Sequence, residues 1–385
     1  MLDDVTVLDL SVYLPGSYAS LLLADLGAEV VKVERPPDGE VTREWEPKLG
    51  GEGYRFLQRN RNKRSVCLDL KSEEGLAVFY DLVSEADIVI EGFRPGVLDR
   101  LDAGYEDVAA INPQILYCSI TGFGQDGPLA DRAGHDLNYI STAGILGTTR
   151  ADGRPVVPGV PIGDFAGGLF AALSLVSALR SRTQLGGQHI DISITDVLFS
   201  WLIAHAGEHF GSDGAYDPSE ALTSGRCPCY SVYATADGRY LAVGALEFEF
   251  WERFCELVGL EELVDDHLVE DTAEQRRQAI QQTLVEKSRA EWLEVFEGEN
   301  LPITPVNSLA EAFSSAHVRE RNLVETIPFD GAELEQLRSP FGFSECTAAI
   351  DRAPPRLGED NESVLAGLGY DQSTIDGLVE DGVIR

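Results

Sequence analysis

Two short stretches of the chain set a titratable side chain among glycines. Ala133-Gly134-His135-Asp136-Leu137-Asn138-Tyr139 places an imidazole in a glycine-flanked loop. In such a loop a histidine can face a cleft and move protons near neutral pH. Read alone, His135 is either that group or a structural histidine satisfied by its neighbours. Pro158 to Gly168, reading Pro-Gly-Val-Pro-Ile-Gly-Asp164-Phe-Ala-Gly-Gly, puts one carboxylate among small residues immediately before an apolar helix. Asp164 would serve as a helix N-cap. The glycines would also let a ligand approach the backbone, and free amides from Gly163 to Ala166 at the helix start would favour an oxyanion forming beside it.

A second group of residues concerns anions. Arg55-Phe56-Leu57-Gln58-Arg59-Asn60-Arg61-Asn62-Lys63-Arg64 gathers five cations in ten residues. Local salt bridging and an anion-binding patch both explain such a cluster in an acidic chain. Arg35 and Arg94 follow apolar runs that read as strands, and ligands of α/β sheets bind at strand carboxyl ends. Guanidinium groups there fork onto phosphate oxygens, so a coenzyme with several phosphates fits. It is not expected to be NAD or FAD, because Leu10-Ser11-Val12-Tyr13-Leu14-Pro15-Gly16 after the first strand lacks G-x-G-x-x-G. No metal is expected either. His205-Ala-Gly-Glu208-His209 has the H-x-x-E-H spacing, but it carries Gly207 within the helix and has no downstream acidic ligand helix; Cys227-Pro-Cys229 is too tight for a zinc knuckle.

These residues need a frame. Val5 to Leu10 reads as a buried strand, Ser17 to Leu26 as a helix closed by Gly27, and Glu29 to Glu34 as a second strand stopped by Pro36 and Pro37. A helix near Glu73 to Ala86, strands at Ile88 to Glu91 and Ile115 to Ile120, a helix from about Leu169 to Leu179, a strand from Gln188 to Ile194 and a helix from Asp196 to about His209 extend the pattern. The fold class is α/β: a Rossmann-like large domain over 1–200, a linker over 201–224, a smaller α+β domain over 225–324 with a hairpin around Asp237-Gly238, and a C-terminal return segment over 325–385.

Composition narrows the function. The chain has 385 residues, with 65 Asp+Glu against 30 Lys+Arg for a net charge of −35. So acidic a surface repels phosphate backbones and anionic lipid, which argues against nucleic-acid and membrane-surface partners. The same excess suits a cytosol of very high salt, a halophilic setting. Six scattered cysteines and an N-terminus without a basic region followed by an apolar core point to a reducing cytoplasm.

The chain resembles the class III coenzyme A transferases (CaiB/BaiF type), and among them the α-methylacyl-CoA racemases. The matches run from Leu23-Ala-Asp25-Leu-Gly27-Ala-Glu-Val-Val-Lys-Val-Glu34-Arg35-Pro36 through Asp69-Leu70-Lys71, Glu91-Gly-Phe-Arg94-Pro95-Gly96 and Thr121-Gly122-Phe123-Gly124-Gln125-Asp126-Gly127-Pro128 to Pro355-Arg356-Leu357-Gly358-Glu359. The resemblance implies an interlocked homodimer with active sites between subunits. It also implies that Arg35, Arg94 and part of the basic cluster, Arg59, Arg61 and Lys63, hold CoA phosphates.

Gly134-His135-Asp136-Leu137-Asn138-Tyr139, Gly163-Asp164-Phe165 and Gly244-Ala245-Leu246-Glu247 match the racemase motifs. They imply His135 and Asp164 as opposed acid–base groups and Glu247 as the carboxylate that orients the histidine. Leu246-Glu247-Phe248-Glu249-Phe250 departs from the usual pattern there, so Glu247 and Glu249 both stand as candidates.

Inverting the carbon alpha to a thioester needs one proton to leave and another to arrive on the opposite face, which His135 and Asp164 could do without a cofactor. The expected activity is racemisation of 2-methyl-branched acyl-CoA, in lipid metabolism. The alternative is a CoA transferase, in which Asp164 forms an acyl anhydride and then an aspartyl-CoA thioester. A third reading is a catalytically silent acyl-CoA-binding subunit.

Overall fold

Six strands, each followed by chain that crosses back over the sheet, run parallel: β1 (Thr6–Asp9), β2 (Glu29–Glu34), β3 (Lys63–Cys67), β4 (Ile88–Glu91), β5 (Leu116–Thr121) and β6 (Gln188–Ser193). Their spatial order is β3-β2-β1-β4-β5-β6, the doubly wound order of dinucleotide-binding sheets. A sheet covered on both faces needs strands that are apolar on both, and β4 and β5 are buried at every position. This is a computed structural model, and it describes residues 1–151 and 153–385.

The chain divides into two units. The first comprises Met1–Ile145, Val157–Trp201 and His317–Arg385, and the second Leu146–Val156 and Leu202–Ala316. Within the first unit, Val364, Leu365, Ile375, Leu378, Val383 and Ile384 share one core with Leu8, Val31, Val66 and Val89 of the sheet. The C-terminal segment also serves the edge strand: Asp360 and Asn361 accept hydrogen bonds from the Ser65 and Cys67 amides. The second unit pairs a three-stranded antiparallel sheet, built on the hairpin Tyr230–Ala234 and Tyr240–Gly244, with helices whose core includes Trp251, Phe254 and Trp292. Residues 201–224, expected as a linker, hold the helix Ile203–Gly211 and two short turns of 3-10 helix, and from Leu202 they belong to the second unit.

Four helices of the first unit position the site: α1 (Leu14–Asp25), α2 (Asp136–Thr142), α3 (Ile162–Leu185) and α4 (Ile194–Trp201). α3 starts seven residues earlier than its apolar pattern predicts, because Gly167 and Gly168 are packing residues. A Cβ on Gly167 would lie 2.7 Å from Ile194 Cγ1, and one on Gly168 would lie 2.5 Å from the Pro15 carbonyl oxygen. Those close approaches seat the first turns of α3 between α1 and α4. By length and composition α3 could cross a bilayer, yet Ala166, Ala171, Ala172, Leu175 and Ala178 are buried within the unit.

Candidate active site

The loop bearing His135 is fixed by its own motif. His135 stands at the N-cap of α2, and its amide donates to Asn138 Oδ1 at 3.1 Å. The Tyr139 hydroxyl donates to the Gly134 carbonyl at 2.5 Å. The Tyr139 ring lies so close over Gly122 and Gly134 that a Cβ on either would fall within 2.1 and 2.7 Å of it, respectively. Glycine at both places is therefore what lets the tyrosine clamp the loop and leave His135 exposed.

Asp164 lies in the first turn of α3, not at its N-cap, which is Pro161. Asp136 occupies the helix start instead: its Oδ1 accepts from the Gly163 amide at 2.6 Å and the Asp164 amide at 3.1 Å. This corrects the expectation that free amides there would hold an oxyanion, since those two are already taken by a carboxylate. The Phe165 amide is also engaged, donating to the Pro161 carbonyl at 3.2 Å.

The same arrangement makes the neighbouring carboxyl a weaker acid. Burial, and then the Asp136 charge, push the Asp164 carboxyl up to about 7, against the opposing pull of Arg59. A carboxyl poised there is present both as acid and as base near neutrality, the condition for proton transfer in either direction.

Two cavities meet at this pair. One, of about 510 Å³, is lined by loops after β1, β4 and β5, including Val12, Gly92, Arg94, Gly122 and Arg132. Successive strands diverge from β1 to opposite sides of the sheet, so this is its topological switch point, where such sheets take ligands. The other, of about 830 Å³, has a wall of Leu14, Tyr18, Leu21, Leu22, Trp45 and Phe165, with Arg55, Arg59 and Arg338 among its polar lining. His135 and Asp164 line both cavities. So does Tyr13, whose φ of 73° and ψ of −167° lie in a region that essentially only glycine takes without strain.

The remaining expected residues are placed as follows. Arg94 lines the switch-point cavity, Arg59 the apolar one, and Arg35 is exposed after β2. Arg61 and Lys63 are only 3% and 0% exposed. Arg61 forks onto Asp25 at 2.6 and 3.1 Å, and Lys63 Nζ meets Asp9 Oδ2 at 3.0 Å and Asn60 Oδ1 at 2.9 Å. The expectation that these two hold CoA phosphates is corrected for Lys63, whose charge is engaged inside the protein; Arg61 is tied to Asp25, and that pair lines the apolar cavity. Glu247 belongs to the second unit, exposed at the N-cap of the helix Phe248–Val258, and Glu249 is in that helix's first turn. Arg132 and Tyr13 went unnoticed in the sequence. Arg132 stands three residues before His135 and could have been found from that proximity; a strained backbone at a tyrosine leaves no sequence signal.

A doubly wound parallel sheet, with a histidine and a carboxyl lining common cavities at its switch point and arginines in that lining, defines an α/β protein of the ligand-binding kind. The chain belongs to CoA-transferase family III, whose model matches residues 2–361. It is 35% identical to the succinyl-CoA:glutarate CoA-transferase of Mus musculus, over 100% of this chain and 90% of that protein. It is also 34% identical to the alpha-methylacyl-CoA racemase of Mus musculus, over 100% of this chain and 98% of the other. A crystal structure of a CaiB/BaiF family protein from Brucella suis superposes with a TM-score of 0.84 at 32% identity, covering 95% of this chain and 99% of that one.

Proposed function

We propose that the protein is an acyl-CoA racemase that inverts the carbon alpha to the thioester of a 2-methyl-branched acyl-CoA. The observation that carries this reading is that His135 and Asp164 line the same two cavities. In one direction the imidazole takes the proton from the alpha carbon, the C–H electron pair passes into the thioester carbonyl to give an enolate, and the Asp164 carboxyl returns a proton to the opposite face. The reverse direction exchanges the roles. With the Gly163 and Asp164 amides occupied, the Nδ2 group of Asn138, whose Oδ1 is held by the His135 amide, is our candidate donor to the enolate oxygen. Arg94 and Arg132 would take CoA phosphates in the switch-point cavity, with Arg35 beyond β2. A homodimer belongs to the same reading: Leu169, Leu173 and Val176, along one side of α3, are 46%, 59% and 37% exposed.

The transferase reading draws on the transferase relatives and on the Asp164 carboxylate, which has no hydrogen-bond partner of its own among the described residues. One experiment separates the two. A single epimer of a 2-methylacyl-CoA in deuterated buffer at high salt, without free acid, should gain deuterium at the alpha carbon and epimerise. His135→Ala should reduce that exchange by at least ~100-fold, the usual contribution of a general base. A wild-type enzyme inert until a carboxylate acceptor is added would instead establish the transferase.

A further inference from the structure

Two cations of this acidic chain line the cavity on the other side of His135 and Asp164 from the switch point, and neither has an ion pair among the described residues. Arg59 is half-buried, its Nε donates to the Arg55 carbonyl at 2.6 Å, and no carboxylate is paired with it among the described residues. Arg55 lies 5.1 Å from the Trp45 ring centroid and has no ion pair among the described residues. Withdrawing a guanidinium from water without a directly paired carboxylate is unfavourable, and burial lowers the proton affinity of Arg59 against the longer-range pull of Glu40 and Asp164. With 65 acidic residues in the chain, a partner could have been supplied from the fold itself, as Asp25 is for Arg61 two residues on.

The rest of that cavity argues for what the pair meets. Its wall of Leu14, Tyr18, Leu21, Leu22 and Phe165 suits a hydrocarbon chain, and, Asp164 apart, its other charged lining is already paired, Asp25 with Arg61 and Arg338 with Glu325. Resting on the acyl-CoA reading above, the thioester carbon sits at His135 and Asp164, the CoA arm leaves toward Arg94, and the acyl chain enters the apolar cavity. We infer that the acyl group ends in a carboxylate, and that Arg55 and Arg59 form the specificity site that receives it. The preferred substrates would be 2-methyl-branched acyl-CoAs with a second acid at the distal end.

An anion at this place could also be a phosphate of CoA, and binding measurements distinguish the two sources. The probes are 2-methylpentanoyl-CoA, 2-methylglutaryl-CoA with its thioester at C1, and free CoA, titrated calorimetrically into the full-length protein at high salt. The two esters differ in a terminal methyl against a terminal carboxylate. The wild type should bind the carboxylated ester about tenfold or more tightly, the scale of a charge-assisted pair. That preference should collapse toward unity in Arg55→Gln/Arg59→Gln and persist in part in Arg59→Lys. A wild-type ratio near one overturns the proposal, as does a double variant that loses affinity for free CoA as much as for either ester. Alpha-proton exchange, followed in parallel, reports on the racemase reading separately: equal exchange on both esters without a binding preference sinks this inference alone, whereas a preference without exchange sinks only the racemase.

Discussion

Arg55 and Arg59 differ from Arg61 and Lys63 in almost everything except their place in the sequence. The first two line a cavity beside His135 and Asp164 with no ion pair among the described residues; of the second two, Arg61 lines the same cavity but is tied to Asp25, and Lys63 is sealed between β3 and α1 on Asp9. The cause is local. Lys63 begins strand β3, so its side chain enters the space between β3 and α1, where Asp9 awaits it; Arg55 and Arg59 lie before the strand, on and just after a single helical turn. A cluster of cations in a sequence thus divides by what pairs it, some charges neutralised by the fold and some left open to a cavity.

The comparison is broken most severely at Lys63. Lys63→Met leaves Asp9, fully buried, with Lys32 at 3.8 Å as its remaining ion pair. Removing one partner of a buried ion pair destabilises by about 3–5 kcal/mol, so the denaturant midpoint of the first unit should fall sharply. A variant as stable as the wild type would show that the buried pair does not hold the sheet.

A smaller and pH-dependent effect is expected at Asp164, where the fold carries a carboxyl against its preference. Its folded-state value of about 7 stands above the ordinary value of 3.8 for an aspartate in an unfolded chain, so ionisation favours unfolding. The penalty grows from about pH 4 to about pH 7 and is constant above that. Asp164→Asn should therefore be inactive yet melt higher than the wild type above pH 7, with the gain shrinking as the pH falls. Parallel melting curves at all pH values would remove the raised carboxyl from the account. The smallest effect is expected at Arg59: Arg59→Gln breaks no ion pair among the described residues, and its unfolding free energy should stay within the scatter of surface substitutions, about 0.5 kcal/mol. A loss on the scale of Lys63→Met would erase the distinction between the two halves of the cluster.

The sheet was readable where burial alone decides. Glu29–Glu34 and Ile88–Glu91 appear as strands with their predicted bounds, because strands covered on both faces are apolar runs. β3 escaped notice for the converse reason. It opens with Lys63, Arg64 and Ser65, and only the buried partner Asp9, 54 residues earlier, makes such a start compatible with a core. The start of α3 was misread because paired glycines resemble a loop in one dimension and a close helix contact in three. His135 and Asp164 could be named from their glycine settings and motifs. Their common cavities could not, since Asp136 and Tyr139, which align them, act across 27 and five residues, respectively.

Asp136 has one more consequence. By covering the positive end of α3 it cancels the field that would otherwise draw the proton off Asp164, so a side chain with no reacting partner of its own acts as the setscrew for the acid strength of the site. Exchanging it for a neutral amide would lower the pKa of the Asp164 carboxyl, so the charge state of that group is adjustable from a residue 28 positions away.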